Sequence, residues 1–202
     1  MSAKKRIGIL LSGRGSNFMA IADNVAAGKI DAEIAVVISN RAAAPGIDEA
    51  RRRGLDARVI PSKGLEREAY DRQVVEVLKE KEVDLVCLTG FMRLISPYFV
   101  AQFPQRILNI HPSLLPSFPG LEAQHQALDH GVKLTGCTVH FVDENLDAGQ
   151  IILQTAVAVE DGDTADTLAA RILKEEHRIY SDAINIILSG RWRIAERRVL
   201  TG

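Results

Sequence analysis

An apolar strand ends at Asn109-Ile110-His111 and is stopped by proline, in the run Asn109-Ile110-His111-Pro112-Ser113-Leu114-Leu115-Pro116. Side chains two apart on a strand share a face, so the Asn109 carboxamide and the His111 imidazole can converge on one atom while Ile107 and Leu108 anchor the strand. An amide and a histidine aimed together suit an oxyanion, the charge that develops when a carbonyl is attacked. A histidine before proline at a strand end also serves as a surface or capping residue, and the spacing alone leaves both readings open. The long loop that follows, Ser113 to Leu134, favours the first, because loops of that length in a compact domain act as lids or binding loops.

Two other segments carry chemistry. In Ser12-Gly13-Arg14-Gly15-Ser16-Asn17 the glycines let the backbone turn tightly, and the helix expected to start near Asn17 offers free amide hydrogens and the positive end of its dipole. A phosphate suits that turn, and so does a plain glycine turn with a helix cap. It is neither a dinucleotide fingerprint, since Phe18 stands where the third glycine belongs, nor a P-loop, which needs a lysine. In the acidic turn Asp143-Glu144-Asn145-Leu146-Asp147-Ala148-Gly149, a carboxylate beside His111 would favour the protonated ring and hold its orientation. Asp143, Glu144 and Asp161 are as acidic as Asp147, so composition does not single it out. His140, inside a strand, faces either the same cleft or the core. His125 and His130 read as exposed, and His177 decorates the last helix beside Glu176. No histidine pair has metal-ligand spacing, and no metal site is expected. No serine or cysteine sits in a nucleophile elbow.

The elements that must position these groups alternate. Strands are expected at Ile7–Leu11, Ile34–Ser39, Arg58–Ile60, Val83–Thr89 and Arg106–His111, separated by helices at Asn17–Ala27, Pro45–Arg53 and Arg67–Lys81. Repeated strand-helix-strand units imply an α/β fold with a mostly parallel sheet, helices on both faces, and ligands at the carboxyl ends of the strands. After about residue 100 the rhythm changes. The stretch that follows His111, to about Val132, holds three prolines and two glycines. Strands at Cys137–Val142 and Gln150–Val159, joined by the acidic turn, make an antiparallel pair, bringing the count to about seven. A helix from Thr164 to Leu188, capped by Thr164, closes the fold. The basic tail from Arg191, with the lone Trp192, is either a final strand or a packed end.

Composition excludes several classes. At 202 residues and 47% hydrophobic the chain can bury its own core and reads as one domain. A formal net charge of -1 argues against nucleic acid as the main partner. The start, Met1 to Arg6, is basic, but the apolar run behind it is too short for a signal peptide or a membrane span, so no membrane partner and a cytoplasmic location are expected. Cys87 and Cys137 lie far apart in apolar runs, where buried thiols are commonplace.

Taken together, Ser12 to Asn17, Gly90-Phe91-Met92-Arg93-Leu94-Ile95-Ser96, Asn109 to Pro116 with Pro119-Gly120-Leu121, and Leu146-Asp147-Ala148-Gly149 resemble the phosphoribosylglycinamide formyltransferase family, from about Ile7 to the last helix. The resemblance implies a Rossmann-like formyltransferase fold over residues 1–202, with a phosphate-binding half over 1–100 and a folate-binding and catalytic half over 101–202. It implies transfer of the formyl group of 10-formyltetrahydrofolate to the amine of phosphoribosylglycinamide in purine biosynthesis, without a metal, by a monomer or homodimer. Asn109 and His111 would stabilise the tetrahedral intermediate, His111 acting as general acid and Asp147 raising the pKa of His111 and holding its ring. Gly15, Ser16 and Asn17 would bind the acceptor's phosphate and Glu176 its ribose. Arg67, Met92, Arg93, Leu94, Ile95, Asn109 and Val142 would contact the folate, whose pterin would lie among residues such as Leu88, Leu94, Phe99, Val100 and Val142.

Many relatives carry a histidine after the Gly-Leu of the long loop, where this chain has Glu122. The Asn-x-His-Pro-Ser-Leu-Leu-Pro element alone is shared by other 10-formyltetrahydrofolate enzymes. A formyltetrahydrofolate hydrolase is expected to carry an extra amino-terminal domain, and a methionyl-tRNA formyltransferase a carboxyl-terminal RNA-binding domain; 202 near-neutral residues are expected to hold neither. A nucleotide-binding module without catalysis would explain the glycine turn but leave Asn109, His111 and Asp147 without a task.

Overall fold

The computed structural model describes residues 4–202, so the first half of the basic start, Met1 to Ala3, lies outside the described residues. The chain forms two compact units that divide after Leu108.

The first unit runs β1 (Lys5–Leu11), α1 (Ser16–Ala26), β2 (Ala32–Ser39), α2 (Pro45–Arg52), β3 (Ala57–Val59), α3 (Arg67–Glu80), β4 (Leu85–Leu88) and α4 (Pro97–Gln102), and ends in the first residues of β5 (Ile107–His111). β1 pairs in parallel with both β2 and β4, and β2 with β3, which gives the order β3-β2-β1-β4. The central strands are continuous apolar runs because both their faces are covered. Ile7, Ile9, Leu10 and Leu11 of β1 are wholly buried. At Gly8 a side chain would collide with Leu78 of α3, so the absent Cβ is what lets that helix lie close on the strand. Helix starts follow their caps: Pro45 and Pro97 occupy first-turn positions, Ser96 accepts from the Phe99 amide, and Glu66 accepts from Glu68 and Ala69.

The second unit holds the end of β5, α5 (Ala123–Asp129), β6 (Leu134–Phe141), β7 (Ile151–Ala158), α6 (Ala165–Leu188), β8 (Trp192–Ala195) and β9 (Arg198–Thr201). β6 and β7 pair antiparallel as expected, with a register shift between Val139 and His140. Such a shift bends a strand and re-aims the side chain beside it. α6 starts where its sequence indicates, with Thr164 and Thr167 forming a reciprocal capping box.

Three expectations need correction. The described residues contain nine strands rather than about seven, because the tail folds into the hairpin β8-β9. Its turn, Glu196-Arg197, lacks the glycine or asparagine that announces a hairpin. The stretch 113–134 is not all loop, since α5 lies within it; seven residues are too few for a helical period to stand out. α4, six residues long, is too short for the same reason.

Candidate active site

In the second unit Asn109 and His111 emerge from the end of β5, His140 from the shifted end of β6, and Asp147 from the turn between β6 and β7. Asp147 holds a left-handed backbone (φ 49°), an uncommon conformation for a residue with a side chain. Its Oδ2 accepts a hydrogen bond from the Gly120 amide (2.8 Å) and lies 3.3 Å from His111 Nδ1. The other ring nitrogen of His111, Nε2, donates to the Phe118 carbonyl at 2.8 Å. Both nitrogens of His111 therefore face oxygens. With side-chain exposures of 6% and 8%, the His111 and Asp147 pair is little screened by water.

His140 is arranged the opposite way. Its Nδ1 donates to the Phe141 carbonyl (2.8 Å), which leaves Nε2 as an acceptor 3.2 Å from Asn109 Nδ2. Burial depresses the His140 pKa, against weaker upward pulls from the Phe141 carbonyl and Asp147, so the ring is neutral. A neutral Nε2 settles which way the Asn109 amide faces: the nitrogen turns to His140, and one amide hydrogen is left to donate elsewhere. The expectation left His140 between cleft and core; it is buried and still bonded to a site residue. The signal for it was the strand alternation that puts 138 and 140 on one face.

The loop after His111 is anchored from the sheet. Thr138 Oγ1 donates to the Ser113 carbonyl (2.7 Å) and accepts from the Leu115 amide (3.1 Å), and Gln154 Nε2 reaches both Thr138 Oγ1 and the Leu115 carbonyl at 2.9 Å. Glu176 is buried on α6.

In the first unit Gly15 takes φ 70°, and α1 begins after it with no side-chain cap, so the amides of Ser16 and Asn17 head an uncapped helix. α2 abuts this turn: Gly46 donates to the Gly13 carbonyl, and a Cβ there would press on Leu11 and the Gly13 and Arg14 carbonyls. Ser12 Oγ donates to Asn40 Oδ1 (2.6 Å) and accepts from the Met92 amide (2.8 Å), which ties the turn to the 90–96 segment. In that segment Met92 and Leu94 are more than half exposed and Ile95 is buried, while the Arg93 guanidinium stacks 4.7 Å from the centre of the Tyr70 ring. Asp71 accepts from the Ser96 amide (2.6 Å), and burial raises its pKa. Arg67 is exposed at the head of α3, and Val142 is half-buried just past β6. Phe99, expected near a pterin, is wholly buried and packs against Phe103. Among the described residues no cluster of three His, Cys, Asp or Glu could hold a metal, and no helix is long and apolar enough to cross a membrane.

Residues 5–184 match the formyl transferase family model. The chain belongs to the formyl transferase family. Among named relatives, it is 42% identical to the phosphoribosylglycinamide formyltransferase of Escherichia coli strain K12, over 93% of this chain and 89% of that protein. It is 50% identical to the trifunctional purine biosynthetic protein adenosine-3 of Bos taurus over 96% of this chain, which spans only 19% of that protein's length. The crystal structure of glycinamide ribonucleotide transformylase 1 from Symbiobacterium toebii superposes with a TM-score of 0.96 at 54% identity, covering 98% of this chain and 94% of that one. The family match stops inside α6, and the hairpin β8-β9 lies beyond it.

Proposed function

We propose that this chain transfers the formyl group of 10-formyltetrahydrofolate to the amine of phosphoribosylglycinamide, with Asn109, His111 and Asp147 as the catalytic groups. The observation that carries this reading is His111 held with an oxygen at each ring nitrogen. The amine attacks the formyl carbon, and negative charge collects on the formyl oxygen. The free Asn109 amide hydrogen and the His111 Nε2–H meet that charge. For this the formyl oxygen takes the place of the Phe118 carbonyl on Nε2, while Nδ1 stays with Asp147. The intermediate collapses by breaking the bond from carbon to the folate nitrogen. That nitrogen gains the proton the attacking amine loses, relayed by His111 as general acid. No covalent enzyme intermediate and no metal is needed.

Binding falls to the remaining residues of the same reading. Gly15, Ser16 and Asn17 hold the acceptor's phosphate, where backbone amides and the helix dipole favour an anion. Glu176 takes its ribose hydroxyls. Arg67, Arg93, the Met92–Ile95 segment and Val142 hold the folate, arginines suiting its carboxylates and apolar side chains its ring. The test mixes purified protein with 10-formyltetrahydrofolate, with and without phosphoribosylglycinamide, and follows tetrahydrofolate by absorbance. Release that requires the acceptor is the expected result. Equal release without acceptor would make the chain a hydrolase, and none at all a binding module.

A further inference from the structure

The C-terminal hairpin grips the Asp147 turn at three places. Before the turn, the Trp192 ring packs on Phe141, the last residue of β6, at 5.2 Å between centroids, and its Nε1 donates to the Ile187 carbonyl (3.0 Å). After the turn, Arg198 pairs with Ile151, the first residue of β7. Within it, Arg197 Nη2 donates to the Ala148 carbonyl at 2.7 Å, one residue from Asp147. A cavity of about 410 Å³, lined by Leu115, Pro119, Leu146, Ile151 and Arg197 together with Asp147 itself, lies between hairpin and turn. Asp147 sits in a left-handed conformation that its neighbours must maintain. The Arg197 hydrogen bond is the direct tie across that space.

We infer that Arg197 is a positioning residue for Asp147: by holding the Ala148 carbonyl it keeps the carboxylate against His111 Nδ1, so that the hairpin beyond the family match completes the site. The catalytic side of this inference rests on the role given to Asp147 above. Losing one hydrogen bond of positioning is expected to lower kcat about three- to tenfold, with the KM for folate within about twofold of the wild type.

The test compares Arg197→Met, Arg197→Lys, Asp147→Asn and the double variant Arg197→Met/Asp147→Asn in the full chain. Arg197→Lys should recover most of the rate, since an ammonium can still reach a carbonyl. Arg197→Met should cost nothing further once Asp147→Asn is present, because its effect runs through that carboxylate. Imidazole ¹⁵N–¹H spectra, with His111 assigned by its loss in His111→Asn, supply a readout that needs no turnover. Arg197→Met should move the His111 signals toward their Asp147→Asn positions. Unmoved His111 signals in Arg197→Met overturn the positioning, as does the same fold-loss in both backgrounds or a lysine variant no faster than the methionine one. Moved signals with an unchanged kcat would leave the positioning standing and overturn the catalytic role assigned to Asp147.

Discussion

Replacing Asp147 by asparagine isolates a charge. The carboxylate's Oδ2 accepts from Gly120 and faces His111, whereas its Oδ1 lies 3.8 Å from the unprotonated Nε2 of His140. An asparagine fits the same frame, its oxygen keeping the Gly120 bond and its NH2 facing the His140 acceptor, so fold and pocket survive. What disappears is a negative charge 3.3 Å from the His111 ring. At an effective dielectric constant of 20 that pair is worth about 5 kcal/mol. The variant is relieved of burying the carboxylate, which returns part of that sum, leaving a net loss of about 2–4 kcal/mol of transition-state stabilisation. Turnover should then fall roughly 30- to 1,000-fold. Steady-state tetrahydrofolate release gives kcat, and equilibrium dialysis of the folate gives Kd, which should stay within about threefold of the wild type. An equal loss in kcat and in folate affinity would refute the reasoning, since it would mean that the asparagine disturbed the pocket rather than the acid.

Asn109→Ala should cost about a hundredfold to a thousandfold in kcat, the usual loss of one oxyanion donor, with little change in the apparent folate Kd. At Gly149 a Cβ would stand 1.8 Å from the Phe141 carbonyl oxygen, so Gly149→Ala must push apart the strand ends that the Phe141 amide and Gln150 carbonyl close at 2.9 Å. A loss of about 2–3 kcal/mol, read as a melting temperature lower by roughly 5–10 °C, is expected in calorimetry. His140 and His177 both have pKa values lowered by burial below the ordinary 6.5. The unfolded chain therefore binds protons there that the native one refuses, and stability, level above pH 6.5, should decline as pH falls from 6.5 toward the native values. His140→Gln can keep both bonds of the neutral ring without titrating, so urea midpoints measured between pH 8 and 5 should fall less steeply for it than for the wild type.

The parts of the fold written in periodicity were legible: β1 to β4 with their helices, the antiparallel β6-β7 pair, and α6 with its Thr164 cap. The hairpin β8-β9 escaped because its turn is built from Glu196 and Arg197, the first at a positive φ that sequence rules reserve for glycine or asparagine. At the candidate site, the shared strand of Asn109 and His111 was readable from their spacing of two. The Asp147 contact was not legible from composition or spacing, because it joins residues 36 apart through a turn with three other acidic candidates nearby; only the family resemblance singled it out. The Phe118 carbonyl was beyond reach for another reason: a backbone acceptor has no signature in the side-chain alphabet.

Two histidines on neighbouring segments of one unit show why residue type alone could not assign the roles. His140 is deeper, its Nδ1 spent on its own strand's Phe141 carbonyl, and burial keeps it uncharged. Protonated, it would lose its acceptor for Asn109 and place a second charge close to His111. Neutral, it turns the Asn109 amide so that nitrogen, not oxygen, is available to an oxyanion. His111 has no strand carbonyl of its own to satisfy; its partners come from a turn and a loop, Asp147 and Phe118. The difference between a neutral ring that orients an amide and a ring held between a carboxylate and a carbonyl follows from which acceptor each nitrogen meets. It requires only that the turn bearing Asp147 hold its place.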